Sequence, residues 1–226
     1  MTDQTDFVAN PIAFMNQHVL IPMFPPPWEA GGANAPTASG RLTVCVIPVP
    51  NARVLNPPQP GSGVFQFSAE TGGLAANTTL DIYWLPYKPD NFRSGMATSA
   101  DRYLFTAAMN GCTLGIGSQS GDGSCLITHA NNRAVGTAQG PAAQAAAQLQ
   151  QIGGVFAGSA GYSVLTPQGY RQDSGGDLSW SATNFGVSNG ANWVFHTHKY
   201  LQRNDGGAKS QFFHGGAVTA AVPVPP

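Results

Sequence analysis

The sequence predicts an α+β protein whose core is a mixed or mostly antiparallel β-sheet, in one layer or in two packed sheets, with few helices. Short apolar runs bounded by turn residues recur along the chain, which is typical of strands. The chain contains 28 glycines and 18 prolines among 226 residues, a composition that indicates many turns. Only 9% of the residues are charged, against about 25% in an average soluble domain, so the surface is neutral and polar.

The length suits a single domain that spans all 226 residues, with an extended amino-terminal segment and a frayed carboxy-terminal tail. Residues 1–40 are predicted to form an extended segment with a short helix over 12–18 and a proline cluster over 22–27. Proline fixes φ and lacks an N–H, so this cluster and Trp28 indicate a stretch that either covers the core or docks on a signalling domain. Residues 218–226 are predicted to be a frayed, proline-rich tail.

Between these ends, strands are predicted where β-branched and aromatic residues alternate or cluster between turn signals. The predicted strands are Arg41–Pro50, Val64–Ser68, Thr79–Pro86, Arg102–Ala107, Cys112–Gly117, Ser124–Ala130 and Asn192–Tyr200. One helix is predicted over Pro141–Ile152. Proline suits its first position, alanine and glutamine favour helix, and Gly153-Gly154 follow it.

Charge and hydropathy exclude several classes of function. The formal net charge is −1, so there is no basic field to attract nucleic acid. No apolar run approaches the roughly 20 residues of a membrane-spanning helix. The amino terminus is polar and acidic and lacks the features of a secretory signal peptide, so export would need another route.

The three cysteines are odd in number and do not form a disulfide framework. Cys45 lies in a predicted buried strand with no histidine near it in sequence, so we expect an inert core thiol. Cys112 and Cys125 belong to a predicted β-hairpin, Cys112–Ala130, whose loop is the run SQSGDG.

The register of this hairpin is predicted from the alternation of side chains between two faces. Pairing Ile116 with Cys125 keeps the apolar residues on one face and displaces Cys125 too far from Cys112 for a disulfide. The same pairing sets Cys112 opposite His129, with Cβ atoms roughly 4.5–5.5 Å apart. An imidazole beside a thiol can take its proton, so the pair predicts a nucleophile and its base. The alternative is that both are buried core residues.

The run LFTAAMNGC, followed after the hairpin loop by ITHAN, resembles the catalytic core of the glutamine deamidase toxins of the cytotoxic necrotizing factor and Burkholderia lethal factor types. Members of this group have a Gly-Cys motif on one strand and a histidine on the next. In the lethal factor type, as in the chemoreceptor glutamine deamidases, a threonine before the cysteine completes the site. Asn110-Gly111-Cys112 matches the cysteine motif, with Asn110 in place of serine, while His129 matches the histidine and Thr106 the threonine.

The resemblance implies a cofactor-free cysteine hydrolase that deamidates a glutamine of a host protein. Cys112 would attack the carboxamide, His129 would move the proton, and Thr106 would orient His129. Backbone N–H groups of Gly111 and Cys112 would bind the oxyanion. The expected protein is a monomeric bacterial effector, secreted or injected, that acts in the host cytosol. A cysteine peptidase or a transglutaminase-like acyl transferase would use the same pair and is the alternative.

A second group of reactive side chains follows in the carboxy-terminal third. His196 and His198 alternate onto one face of the predicted strand Asn192–Tyr200, and His214 comes soon after. Two strand histidines and a third nearby could bind zinc with an open position. No carboxylate or cysteine has a ligand spacing, so we predict no metal and keep a non-enzymatic β-rich binding module with this site as the alternative. These histidines could equally lie at a polar sheet edge.

Overall fold

The structure is a computed structural model that describes residues 3–24, 36–69, 72–171, 178–203 and 211–220. Its strands form two packed sheets with few helices, so the predicted α+β class is confirmed. Pro25–Pro27, Trp28 and residues 221–226 lie outside the described residues. Predictions for those stretches therefore stay predictions.

The described residues form the following strands, in chain order. They are β1 (Val19–Ile21), β2 (Gly40–Pro48), β3 (Arg53–Val54), β4 (Val64–Ser68), β5 (Leu80–Leu85), β6 (Phe92–Ala97), β7 (Tyr103–Thr106), β8 (Thr113–Gln119), β9 (Cys125–Ala130), β10 (Tyr162–Leu165), β11 (Leu178–Ser188), β12 (Trp193–Arg203), β13 (Gln211–His214) and β14 (Thr219–Ala220).

The larger sheet is mixed, with the spatial order β1-β4-β2-β5-β7-β11-β12-β13-β3 and β14 paired to β12. The smaller sheet is antiparallel, with the order β10-β8-β9-β6. One buried cluster joins the two sheets: it contains Leu85 and Leu104 of the larger sheet together with Leu114 and Ile127 of the smaller one. Burying each such side chain stabilises the fold by about 1.5–3 kcal/mol, so this contact holds the sheets together.

The helices are short except for one. They are α1 (Asp3–Ala9), α2 (Pro11–Met15), α3 (Arg133–Gln139), α4 (Pro141–Val155) and α5 (Pro167–Tyr170). The helix predicted after Pro141 is confirmed as α4, and it continues through Gly153-Gly154 to Val155 because it packs on the smaller sheet. Within the described ranges, no helix is long and apolar enough to cross a membrane.

The described part of the amino-terminal segment is folded into the body as α1, α2 and β1, not extended as predicted, and the short helix predicted over 12–18 overlaps α2. Asn10 caps α2 by accepting a hydrogen bond from the Ala13 N–H at 3.0 Å. Phe7 of α1 and Phe14 of α2 are buried in the main aromatic core. β1 then joins the larger sheet parallel to β4. These apolar side chains bind the segment to the core and override the turn signals around it.

Helix α4 lies on the outer face of the smaller sheet, opposite the larger sheet. A Cβ on Gly115 would stand 2.7 Å from Ile152 Cγ2, and one on Gly117 would stand 2.7 Å from the Phe156 ring. These two glycines of β8 therefore allow the helix to approach the strand directly. The approach brings the polar side chains of α4 to the start of β8, where the candidate site lies.

Candidate active site

The cysteine of the predicted site lies where the chain crosses between the sheets. Thr106 ends β7 in the larger sheet and Thr113 begins β8 in the smaller one. The six residues between them make this crossing, and Met109 pairs with Ala182 on the way. Cys112 is the last of the six, so it sits at the edge of the seam between the sheets.

The predicted hairpin is present as β8 and β9, but its register differs from the prediction by two residues. Ile116 pairs with Ile127 rather than with Cys125, and Leu114 pairs with His129. β8 continues to Gln119 through an irregularity in the pairing, and the turn closes later, where Asp122 Oδ1 accepts hydrogen bonds from Ser124. A shift of two residues leaves every side chain on its original face, so alternation could not distinguish the two registers.

The observed register changes the partner of the thiol. Extension of the β8–β9 ladder sets Cys112 against Asn131, and Asn131 Nδ2 donates a hydrogen bond to Cys112 Sγ at 3.2 Å. His129 lies on the same face of the hairpin, two residues before Asn131 in the chain and opposite Leu114. Diagonal neighbours of this kind have Cα atoms roughly 7–8 Å apart and Cβ atoms somewhat closer, within reach of a histidine side chain. The predicted direct pair is therefore a diagonal pair, with Asn131 as the direct neighbour.

His129 is a buried imidazole with no fixed hydrogen-bond partner. Its side chain is 1% exposed, and neither ring nitrogen has a partner in the described structure. The ring faces Tyr87, with centroids 6.2 Å apart. Burial lowers the pKa of His129 to about 4, so the ring is neutral at physiological pH. Buried polar atoms without partners are rare, and here they leave the imidazole free to accept a proton.

Cys112 is equally buried, at 2% exposed, and is protonated at rest. Burial raises the pKa of the Cys112 thiol to about 11, while hydrogen bonds from Asn131 and from the Asn110 backbone act in the opposite direction. Thiol and imidazole are thus both neutral before reaction. Charge on the sulfur can arise only together with proton transfer to a base, which is the role open to His129.

The turn that presents Cys112 is held by four hydrogen bonds between its backbone and side chains of α4 and α5. Gly111 adopts φ +88°, a conformation that favours glycine. Its carbonyl accepts from Gln148 Nε2 at 2.8 Å and from Gln144 Nε2 at 3.2 Å. Its N–H donates to Tyr170 Oη at 3.0 Å, and Tyr170 donates in turn to the Cys112 carbonyl at 2.7 Å. The Gly111 N–H predicted to bind an oxyanion is therefore engaged by Tyr170.

A cavity of about 580 Å³ opens onto the thiol. Cys112, Asn131 and Tyr87 contribute to its wall, and the basic residues Arg133 and Arg171 also line it. No carboxylate belongs to the described lining, so the wall favours a negatively charged group. A second cavity of about 330 Å³ adjoins it and shares with it the wall formed by Gly111, Gln144 and Arg171.

Thr106 is buried near this seam but does not orient the histidine. Its single hydroxyl proton is shared between the Ala107 carbonyl, 3.1 Å away, and the Asn184 carbonyl, 3.4 Å away. Neither bond reaches His129, whose ring nitrogens have no partner. The orientation of His129 by Thr106, which the resemblance implied, is not present in this structure.

The other two cysteines have no comparable surroundings. All three cysteines are free, and Cys45 and Cys125 are buried away from both cavities. Burial raises the pKa of both thiols, that of Cys125 to about 12. Within the described ranges, the Cys125 thiol has two carbonyl acceptors for its single proton, that of Gly117 at 3.5 Å and that of Leu126 at 3.9 Å. The inert character predicted for Cys45 stays a prediction, and the buried position of Cys125 leads to the same expectation for that thiol.

The three histidines of the alternative metal site do not converge. His198 Nε2 lies 3.1 Å from His214 Nε2, and His214 Nε2 also lies 3.0 Å from the Met15 carbonyl. His196 stacks instead on Phe185, with ring centroids 5.1 Å apart. Among the residues that the structure describes, no group of three or more His, Cys, Asp or Glu residues could hold a metal ion.

Three functional candidates were missed from the sequence: Asn131, Gln148 and Tyr170. Asn131 stood in the run ITHAN, but the predicted register placed it beyond the pair of interest. Gln148 lies in a helix whose alanine and glutamine composition indicated only helix propensity. Tyr170 reaches the site through tertiary packing alone, and no local pattern signals it.

Comparison with known proteins leaves the family open. No protein-family model matches the chain, and a search of curated proteins finds no match.

Proposed function

We propose that this protein is a cysteine hydrolase that deamidates a glutamine side chain of a protein substrate, with Cys112 as nucleophile and His129 as proton carrier. The observation that carries the proposal is the position of Cys112. It is a free thiol that lines the larger cavity, and the unpaired imidazole of His129 lies diagonally beside it. Glutamine as the substrate group rests on the resemblance of the surrounding runs to the glutamine deamidase toxins.

In the first step, Cys112 Sγ attacks the carboxamide carbon while its proton passes to His129. A carbon–sulfur bond forms and gives a tetrahedral intermediate with negative charge on oxygen. The carbon–nitrogen bond then breaks, and the proton held by His129 leaves with the nitrogen as ammonia. Because burial keeps both side chains neutral at rest, the charge separates only as these bonds change.

In the second step, water attacks the thioester carbon and gives a proton to His129. The carbon–sulfur bond breaks, the sulfur regains a proton from His129, and the substrate is released as glutamate. No step calls for a Lewis acid, since the imidazole supplies the proton transfer. The resemblance also supports a host-cell protein as the substrate and a secreted or injected bacterial effector as the setting.

The test is incubation of the purified protein with eukaryotic cell lysate, followed by mass spectrometry of tryptic peptides. Conversion of one glutamine to glutamate raises a peptide's mass by about 1 Da, because an amide is replaced by a carboxylic acid. We expect this change, with release of ammonia, both with and without a metal chelator. Peptide cleavage or amine incorporation would identify the peptidase or acyl transferase instead.

Matched cysteine variants locate the chemistry. Cys112→Ser should lower the rate by at least about 10³-fold, as expected for loss of a nucleophile that acts as a unit with its base. Cys125→Ser is the control, because Cys125 is also buried but borders neither cavity. Full activity of Cys112→Ser, or loss of conversion on chelation, would show that the proposal is wrong.

A further inference from the structure

We infer that Asn131 is a further catalytic residue, whose side-chain amide stabilises negative charge first on the Cys112 sulfur and then on the oxygen of the tetrahedral intermediate. This inference rests on the proposed function for its second half only. Its first half concerns the thiol alone and can be tested without any substrate.

The first observation is the direct contact between the two side chains. Asn131 Nδ2 donates to Cys112 Sγ at 3.2 Å, and both residues are buried. A hydrogen bond to an ionised acceptor is stronger than one to a neutral acceptor. The contact therefore strengthens as the thiol becomes a thiolate, at the moment when a buried anion most needs a donor.

The second observation is that the amide is fixed in orientation. Asn131 Oδ1 accepts from the Arg133 N–H at 3.1 Å and from the Asp90 N–H at 3.3 Å. With the oxygen end held by two backbone donors, the NH₂ end must point toward the sulfur. Preorganised donors of this kind need no rearrangement when charge develops, which is the basis of oxyanion stabilisation.

The third observation is that Asn131 also lines the larger cavity, where the proposed function places the substrate. In the tetrahedral intermediate the oxygen and the sulfur are bonded to the same carbon, so a donor that reaches the sulfur also lies near the oxygen. The Gly111 N–H cannot fill this role while it donates to Tyr170. Asn131 thus takes the place of the Gly111 N–H, one of the two backbone donors predicted from the sequence, the other being that of Cys112.

The decisive variant is Asn131→Asp. An aspartate keeps an oxygen acceptor for the two backbone N–H groups but replaces the NH₂ donor with a second oxygen. Asn132→Asp is the matched control. Asn132 is the next residue and is also buried, and its side chain makes no hydrogen bond to Cys112. The substitution Asn132→Asp adds the same charge without removing the amide that donates to Cys112. Cooperative thermal unfolding checks that both variants are folded.

The first measurement is the rate at which iodoacetamide alkylates Cys112, recorded against pH. Loss of a hydrogen bond to a charged group should lower the rate at neutral pH by about 10- to 100-fold in Asn131→Asp. Asn132→Asp should stay within about threefold of the native protein. Equal pH profiles for Asn131→Asp and the native protein would overturn the inference.

The second measurement is the deamidation rate on the lysate substrate. Removal of one oxyanion donor should lower kcat by about 10²–10³-fold with little change in KM. If the native protein deamidates nothing while the alkylation effect is present, the proposed function fails and the role of Asn131 toward the sulfur stands. If the alkylation effect is present and kcat is unchanged, the oxyanion role is wrong.

Discussion

Two buried histidine sites in this protein differ in their hydrogen bonding, although His198 Nδ1, like both ring nitrogens of His129, has no partner among the described residues. At the seam between the sheets, His129 has neither ring nitrogen bonded and stands beside a thiol that lines a cavity. At the other site, His198 contacts His214, and His214 also contacts the Met15 carbonyl of the amino-terminal segment. Neither His198 nor His214 belongs to the lining of the two cavities described.

The difference in hydrogen bonding distinguishes a histidine that stabilises the fold from one whose ring nitrogens are free to exchange a proton. The bonded pair joins β12, β13 and the end of α2, so its hydrogen bonds contribute to stability. His129 contributes no such bond and leaves two polar atoms unpaired, a cost that the fold tolerates. Burial lowers the pKa of both His129 and His198, so the direction of the pKa shift does not distinguish the two histidines. Their hydrogen-bond partners do.

The largest effect expected from this comparison is on activity. His129→Gln should reduce deamidation by about 10²–10⁴-fold, the range for loss of a general base. His198→Gln should leave the rate within a few-fold and lower the free energy of unfolding by about 1–3 kcal/mol, because it disturbs a buried hydrogen bond. Enzyme assays and urea titrations of both variants measure this. Equal loss of activity in the two would remove the distinction.

A second prediction concerns thiol reactivity, which should follow access to the cavity. Limited iodoacetamide treatment and peptide mapping should show Cys112 modified at least about tenfold faster than Cys125, since Cys125 has the higher pKa, about 12, and no cavity beside it. The Cys112 rate should rise with pH toward its pKa of about 11. Earlier modification of Cys125 or Cys45 would contradict the assignment of the site.

A third prediction is a loss of stability in acid. The folded-state pKa of His198 is lowered to about 3 by burial and by nearby His214, and that of His129 to about 4 by burial, against about 6.5 in an unfolded chain. Below pH 6.5 the unfolded chain binds protons that the folded chain does not. The free energy of unfolding should then fall by up to about 1.4 kcal/mol per pH unit for each histidine.

Chemical denaturation between pH 7.5 and 4.5 measures this slope. Burial also lowers the pKa of His18, His196 and His214, so these histidines contribute to the slope as well. His198→Gln removes one contributing group and should make the slope shallower. A slope unchanged by that substitution would show that His198 titrates normally.

The smallest effect is expected at Thr106. Thr106→Val removes a hydroxyl that donates to the Ala107 and Asn184 carbonyls, so it should cost about 0.5–1.5 kcal/mol of stability. Because the hydroxyl makes no bond to His129, activity should change by less than about tenfold. A loss as large as that of His129→Gln would restore the orienting role that the resemblance implied.

The sequence predicted the parts of the fold that have strong local signals. Alternation and composition located β2, β4, β5 and the helix α4 to within a few residues. β11 was missed because Ser181, Thr183 and Asn184 are polar, and their burial depends on partners far away in the chain. β6 was missed because its run FRSGMA has no clear alternation.

For the candidate site, the sequence predicted the hairpin but not its register. Cys112 and His129 came to one face because alternation has a period of two, and that constraint holds in either register. In the observed register, the turn is closed by hydrogen bonds from Ser124 to Asp122. Thr113 of β8 donates to Gln148 of α4, a contact between distant residues that a local pattern does not contain. Asn131 became visible only when the observed ladder set it against the thiol.

Because Gly115 and Gly117 lie under α4, the position of the Cys112 turn depends on packing at the outer face of the smaller sheet. A methyl group at Gly115 would press on Ile152 and lift the helix, and Gln148, one turn earlier, holds the Gly111 carbonyl beside the nucleophile. A change that touches no substrate would thus displace the turn that presents Cys112. The outer surface of the smaller sheet is thus mechanically coupled to the Cys112 turn, so the space available at Gly115 helps to set the position of the thiol on the opposite face.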